Sequence, residues 1–228
     1  MNNDYLEKSK KEWVRASEFP ADKEKEYPDH TIVQQFDIHH NKQVYEYGCG
    51  GGSDIMSYLR RGNYVTATDI VPTNLLITKQ RIIDAKLPIE NVNLVLLENS
   101  YPLPFDNDSF DIITSHGVLH HIIDVKPVVK ELYRVCKPNG LIYIMLYTDI
   151  MWDHFQSNGF HAKFMQQYGV DKFEAFGYCT DAVGVPYARP YTTQEGCELL
   201  EEAGFAIEDY THWLNDFFCT YRGVKASA

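Results

Sequence analysis

A chain of 228 residues with 44% hydrophobic and 23% charged residues is sized and composed for one soluble globular domain. Its net charge of −11 argues against a protein that grips nucleic acid by its phosphates, which needs a basic face. No apolar run is long enough to cross a bilayer, and the N-terminus lacks an apolar signal region, so a cytoplasmic protein without a membrane partner is expected. Cys49, Cys136, Cys179, Cys197 and Cys219 form no CxxC pair and read as reduced thiols, with neither a disulfide frame nor a metal site.

In chain order, residues 1–30 are polar, with helical signal over 4–17 and a break at Pro20. Residues 31–43 give a second short helical stretch. An alternation then begins. "QVYEYG" reads as a strand, and "SDIMSYLRRG" as a helix with Ser53 or Asp54 as N-cap and Gly62 at its end. "YVTATD" is a strand rich in β-branched residues, followed by a helix with Pro72 in its first turn. "VNLVLLE" and "FDIITSH" are strands. "DVKPVVKELYRVCKPNG" reads as a helix that runs out at Pro138, Asn139 and Gly140, and "LIYIMLY" as a strand buried on both faces. Residues 148–190 break the rhythm as an aromatic-rich insertion. A helix opened by Thr192 and Glu195 at capping-box spacing follows, then two closing strands. Strands alternating with helices imply a mostly parallel sheet covered on both faces. The expected organisation is one domain, with residues 1–41 as an N-terminal helical lid and 148–190 as an insertion on the substrate side.

The stretch "VYEYGCGGGSD" marks the site. Gly48, Gly50 and Gly52 follow a strand and precede a helix, where a glycine turn lets backbone approach a ligand at the carboxyl ends of the strands. Asp69 ends the next strand about 20 residues on, a position suited to ribose hydroxyls. Two ligand classes fit. A dinucleotide wants a third glycine where Ser53 stands, and its anionic pyrophosphate is a poor neighbour for Glu46. S-adenosylmethionine carries an ammonium group that Glu46 can pair with.

The motifs "VYEYGCGGG", "VTATDIV", "LPFDNDSFDIITSHGVLHHI" and "ELYRVCKPNGLIYIMLY", in that order, resemble those of the class I S-adenosylmethionine-dependent methyltransferases of small-molecule type, and the resemblance resumes at "YARPYTTQEGCELLEEAGF". It implies a Rossmann-like α/β fold: a seven-stranded, mostly parallel sheet with helices on both faces, the last strand antiparallel and the insertion before the final helix. It implies S-adenosyl-L-methionine as cofactor. Glu46, Gly48, Cys49 and Gly50 would hold the methionine part, Asp69 the ribose, with Ile70 on adenine and Asn74 in the same turn. Relatives often carry Gly-Asp-Ala where this chain has Glu98, Asn99 and Ser100, so which of the three meets adenine stays open. Ser115 would pass close to the sulfonium.

His116, His120 and His121 crowd a strand end where chemistry sits in such sheets. His116 and His120 are candidate catalytic residues, as is Tyr191, and each histidine has the competing reading of a group that orients the turn. His121, Tyr187 and Arg189 are candidate substrate-binding residues. Arg189 fits equally well as an anion clamp or a helix cap. Asp149, His154 and His161 are further polar groups of the insertion. The expected partner is a small molecule. The alternatives are a non-catalytic cofactor-binding or partner-activating protein and, against the Ser53 and Glu46 pattern, a nucleotide-dependent oxidoreductase.

Overall fold

The computed structural model describes residues 3–17 and 40–227. The expected break at Pro20 and helical stretch over 31–43 lie outside the described residues, apart from 40–43, which are not helical and lead into the first strand at Gln43. Helix α1 spans Asn3–Ser17. The alternating body then runs β1 (Gln43–Tyr47), α2 (Ser53–Arg60), β2 (Tyr64–Asp69), α3 (Pro72–Asp84), β3 (Val92–Leu96), β4 (Phe110–His116), α4 (Val125–Val135) and β5 (Cys136–Tyr147). Three short helices follow: α5 (Asp149–Ser157), α6 (Phe160–Tyr168) and α7 (Lys172–Thr180). The chain closes with α8 (Thr193–Glu201), β6 (Phe205–Trp213) and β7 (Phe218–Lys225).

The seven strands form one sheet in the order β3-β2-β1-β4-β5-β7-β6. The pairs from β3 to β5 are parallel, and β7 runs antiparallel to both β5 and β6. This is the Rossmann-like architecture the motifs imply. The order reverses between β1 and β4, and the crevice outside the carboxyl ends of these strands is where ligands bind in open α/β sheets.

Local chemistry explains the elements. β1 is buried at Val44, Tyr45, Glu46 and Tyr47, so it is a central strand. Tyr45 stacks on Phe110 at 5.0 Å and meets Phe105 edge-on at 5.1 Å, joining β1 to β4. α4 turns Val125, Val128, Val129, Leu132 and Val135 inward, an apolar stripe at helical spacing. α8 starts with the expected capping box: Glu195 N donates to Thr192 Oγ1 at 3.1 Å, and Thr192 N donates to Glu195 Oε2 at 2.9 Å.

Two boundaries differ from expectation. α4 stops at Val135 and does not run to Pro138. Cys136 is already extended and β5 begins there. Asn139 takes a positive φ of 61° within that stretch, which a helix does not accommodate. At α2 neither Ser53 nor Asp54 is the N-cap. Gly52 fills that position in the left-handed conformation, with φ 75°, and both polar residues lie inside the first turn.

Residues 148–190 fold on themselves. Trp152 contacts Phe176 at 5.1 Å and His161 at 4.5 Å, and Phe173 meets Tyr187 at 5.4 Å. Most of the expected aromatic wall is therefore a satellite core. α1 lies against this segment and the sheet end. Lys8 pairs with Glu174 at 2.6 Å, and Tyr5 meets Tyr187 edge-on at 6.5 Å. Among the described residues, no helix is long and apolar enough to cross a membrane.

Candidate active site

The glycine loop joins β1 to α2, and three of its four glycines, Gly48, Gly50 and Gly52, answer two different needs. All have positive φ: 77° at Gly48, 50° at Gly50 and 75° at Gly52. A Cβ on Gly48 would come within 2.5 Å of the Val118 side chain, and one on Gly52 within 2.6 Å of Thr78. A Cβ on Gly50 would meet nothing within 4 Å. The first and third glycines are excluded from carrying side chains by the protein. The middle one faces open space, as a backbone cradle for a ligand requires.

The loop is braced from behind. Gly48 N and Cys49 N both donate to Thr68 O at 2.9 Å. Thr78 Oγ1 donates to Gly50 O at 2.9 Å, and Arg81 Nη1 to Gly51 O at 2.7 Å. Asp69 accepts from Gly50 N and from Val71 N, each at 2.8 Å. Burial raises its carboxyl above the usual range, against the lowering effect of those two N–H groups and of a hydrogen bond from Asn74. Asn74 therefore orients the acid. A carboxylate has about four acceptor positions, so these three donors leave capacity for a ribose hydroxyl. Cys49 is buried among apolar side chains, and burial pushes its thiol well above the usual value, which makes it a filler and no nucleophile.

Glu46 is 2% exposed at the carboxyl end of β1. Ile70 is partly buried against the main core. Of the adenine candidates, Glu98 and Asn99 are exposed and Ser100 is buried, with its carbonyl accepting from Tyr47 Oη at 3.1 Å. Ser115 is fully buried and donates from Oγ to Tyr47 O at 3.0 Å, which ties β4 to β1 at the crevice.

The histidines separate. His116, at the end of β4, places Nδ1 3.1 Å from Asp54 Oδ2, with both side chains buried. His120 is fully buried, stacks on Tyr147 at 3.6 Å, and accepts from Arg189 N through its carbonyl at 2.9 Å. His121 has Nδ1 2.8 Å from Tyr187 O and Nε2 3.5 Å from Asp181 Oδ2, while its carbonyl accepts from Tyr5 Oη. Trp13 of α1 covers the His121 ring at 4.9 Å. Thus only His116 of the three meets the helix that follows the glycine loop.

Tyr191 and Arg189 lie together just before α8. The Tyr191 ring belongs to the main apolar core, and burial pushes its hydroxyl up to about 12. Arg189 lies over that ring at 4.5 Å and donates to Glu195 Oε1 at 2.7 Å. Arg189 therefore pairs with the acid of the α8 capping box, whose N-cap is Thr192. Tyr187 is half-buried between Tyr5 and Phe173. In the insertion, Asp149 opens α5, His161 Nε2 lies 2.6 Å from Lys172 O, and His154 is exposed beside Asn158. Among the described residues, no group of three or more His, Cys, Asp and Glu side chains is arranged to hold a metal ion. Sequence reasoning had treated Asp54 only as a possible cap. The signal that could have found it is an acid directly inside the helix that the glycine loop opens.

Residues 45–144 match the methyltransferase domain family. The chain is 24% identical over 203 residues to the ubiquinone/menaquinone biosynthesis C-methyltransferase UbiE of Proteus mirabilis, a match covering 85% of this chain and 78% of that protein. It also superposes on a SAM-dependent methyltransferase from Aquifex aeolicus with a TM-score of 0.65 at 15% identity, over 94% of this chain and 98% of that one. A chain from the complex between the Haloferax volcanii Trm112 methyltransferase activator and a methyltransferase gives a TM-score of 0.70 at 14% identity, over 94% and 98%. At such identities the two superpositions establish the fold alone.

The matched domain, the UbiE relatives and the fold together support a class I S-adenosylmethionine-dependent methyltransferase. It is a methyltransferase enzyme, and S-adenosylmethionine is its cofactor. The residues fit the group: an open glycine cradle at Gly50, a buried acid at Glu46 for an ammonium, and acceptor capacity on Asp69.

Proposed function

We propose that this methyltransferase acts on a small planar aromatic acceptor of the hydroquinone type. The observation that carries this reading is the roof over the crevice. α1 brings Tyr5 and Trp13 onto His121, and Tyr187 closes the same side. An aromatic-walled, covered crevice suits a small flat molecule better than a polymer. The acidic balance of the chain works against a nucleic-acid acceptor. The likeness to a C-methyltransferase of quinone biosynthesis supports a ring-carbon acceptor.

In this reading Glu46, Gly48, Gly50 and Asp69 hold the cofactor, with Asn74 setting the Asp69 carboxylate and the Glu98–Ser100 turn beside the adenine. α1 acts as a lid. When bound, the cofactor supplies an electrophilic methyl; the acceptor's electron pair forms the new bond, and the S–CH3 pair stays on sulfur. The chain's task is to hold the acceptor in line and exclude water.

The test uses S-adenosylmethionine labelled in its methyl group. A 1,4-naphthohydroquinone with an open ring carbon, bulk tRNA and a protein extract are offered in parallel. Label is expected in the hydroquinone. Label confined to RNA or protein would reject the small-molecule reading.

A further inference from the structure

The buried pair formed by Asp54 and His116 has no part in the cofactor cradle described above. Asp54 is 2% and His116 7% exposed. A carboxylate taken this far from water is costly unless a partner compensates it, so a pair of this kind is weak support for folding on its own. Its place is informative. His116 ends β4, one of the two strands that flank the reversal of sheet order. Asp54 lies in the first turn after the glycine loop. The His116 ring is fixed edge-on to Trp213 at 5.9 Å, and the Trp213 indole is itself held by Thr220 Oγ1 at 3.1 Å. Glu46 from β1, Tyr58 from α2 and Tyr143 from β5 are further ionisable groups of this region. Burial holds the Tyr58 phenol well above its usual range, and the nearby Asp54 and Glu46 carboxylates add to that effect.

Methylating a phenolic ring carbon replaces a ring proton that leaves after the attack, and the attack itself is driven by taking the hydroxyl proton of the acceptor. We infer that His116 takes that proton and that Asp54 is the positioning residue that prepares it. The inference rests on the hydroquinone reading proposed above. The Asp54 carboxylate accepts from Nδ1–H, which fixes the tautomer with its lone pair on Nε2. Nε2 then accepts the proton from the acceptor hydroxyl, and the imidazolium that forms is stabilised by Asp54 at 3.1 Å. The freed oxygen pair passes into the ring and to the methyl; the ring-carbon proton is then lost to water and the imidazolium returns its proton to the oxygen, which restores aromaticity and resets the base with one proton released in all. This defines the acceptor class: a molecule whose nucleophile is unmasked by ionising an O–H group.

Two measurements test it. The first needs no acceptor. Nitrogen-15 NMR of the histidine side chains in the wild-type protein is expected to show His116 protonated on Nδ1, with the preference lost in Asp54→Asn. A wild-type His116 protonated on Nε2 overturns the proposal. The second uses a series of naphthohydroquinones of graded acidity. General-base groups contribute about 10²–10⁴-fold. His116→Gln is expected to lower kcat at least 100-fold at pH 7, and Asp54→Asn at least tenfold, with affinity for S-adenosylhomocysteine within threefold in both. The deficit should shrink as the hydroquinone becomes more acidic or the pH rises, which a merely structural strut would not produce. Wild-type enzyme that methylates no hydroquinone overturns the acceptor reading and this proposal with it. Normal wild-type turnover with an undiminished Asp54→Asn variant overturns the dyad alone.

Discussion

Asp69 Oδ2 lies 2.8 Å from the backbone nitrogen of Gly50, so the acid that ends β2 also braces the loop that ends β1. Two functions meet in one side chain: it shapes the cradle and offers its remaining acceptor positions to the ribose. Removing it has a structural cost as well as a binding cost. Asp69→Ala leaves the Gly50 and Val71 N–H groups without their acceptor, at about 1–3 kcal/mol for each buried donor. Asp69→Ala is therefore expected to lower unfolding stability by at least ~2 kcal/mol and to weaken S-adenosylhomocysteine binding tenfold or more. Asp69→Asn, which keeps an acceptor oxygen, should recover most of the stability and less of the affinity. Calorimetry with denaturant unfolding separates the two, and full affinity in a folded Asp69→Ala variant would remove this residue from the site.

The glycines give a sharper test because their surroundings differ. Alanine at Gly50 enters open space at a φ of 50°, so its folding cost is the backbone term of about 1–2 kcal/mol. In a chain of this size that is roughly 2–8 °C in Tm. Alanine at Gly52 also drives into Thr78, the side chain that holds Gly50 O. We expect Gly50→Ala to lose cofactor affinity with a modest fall in Tm, and Gly52→Ala to lose more Tm. Thermal unfolding and titration with S-adenosylhomocysteine read both. Unchanged affinity in Gly50→Ala would mean that the cofactor lies elsewhere.

The parts of this architecture set by local pattern were legible in the sequence. Glycines between an apolar strand and a helix, β-branched "YVTATD" and the Thr192–Glu195 spacing each specify their structure over a few neighbouring residues, and each appears as read. What depends on distant partners was not legible. Nothing near Asp54 shows that His116, 62 positions away, receives its carboxylate. Arg189 fits a clamp or a cap in the sequence, and its pairing with Glu195 becomes visible only in the fold. The α4 boundary was overrun because "RVC" continues the helical pattern, while sheet pairing of Phe110 with Cys136 claims that residue for β5.

The segment before β4 is held by charge, and its stability should depend on pH. Arg134 makes hydrogen bonds to both Glu131 oxygens at 2.8 Å and to Leu103 O at 3.0 Å and Phe105 O at 2.7 Å. Leu103 N donates to Glu131 Oε2 at 2.8 Å. The Arg134 guanidinium holds the Glu131 carboxyl below the usual range. A depressed carboxylate stabilises the fold above its unfolded value, about 4.3, and that contribution disappears as pH falls through the lower folded value. Glu131→Gln is expected to cost about 1–3 kcal/mol at neutral pH. The difference from wild type should stay flat above pH ~5.5 and shrink below ~4.3. Urea unfolding from pH 3 to 8 checks this, and a difference that grows on acidification would contradict the assigned role.

The last prediction concerns α1. Its contacts reach three separate segments, the chain after β3, the chain after β4 and helix α7 of the insertion. Lys10 Nζ donates to Glu98 O at 3.1 Å, Trp13 packs on His121, and Lys8 pairs with Glu174. Lys8 and Glu174 form a partly exposed pair worth ~1 kcal/mol or less, so the helix is held mainly by Tyr5, Trp13 and buried Leu6. A ligand beneath the helix adds a surface on which it can close. Amide exchange of residues 3–17 and 119–121 is expected to slow at least tenfold with saturating S-adenosylhomocysteine, while exchange in β4 and β5 stays unchanged. Trp13→Ala should raise the acceptor KM more than it lowers kcat, because it weakens the cover without touching the reacting atoms. Equal exchange with and without ligand, together with an unaltered KM in Trp13→Ala, would make α1 a permanent wall of the crevice and no lid.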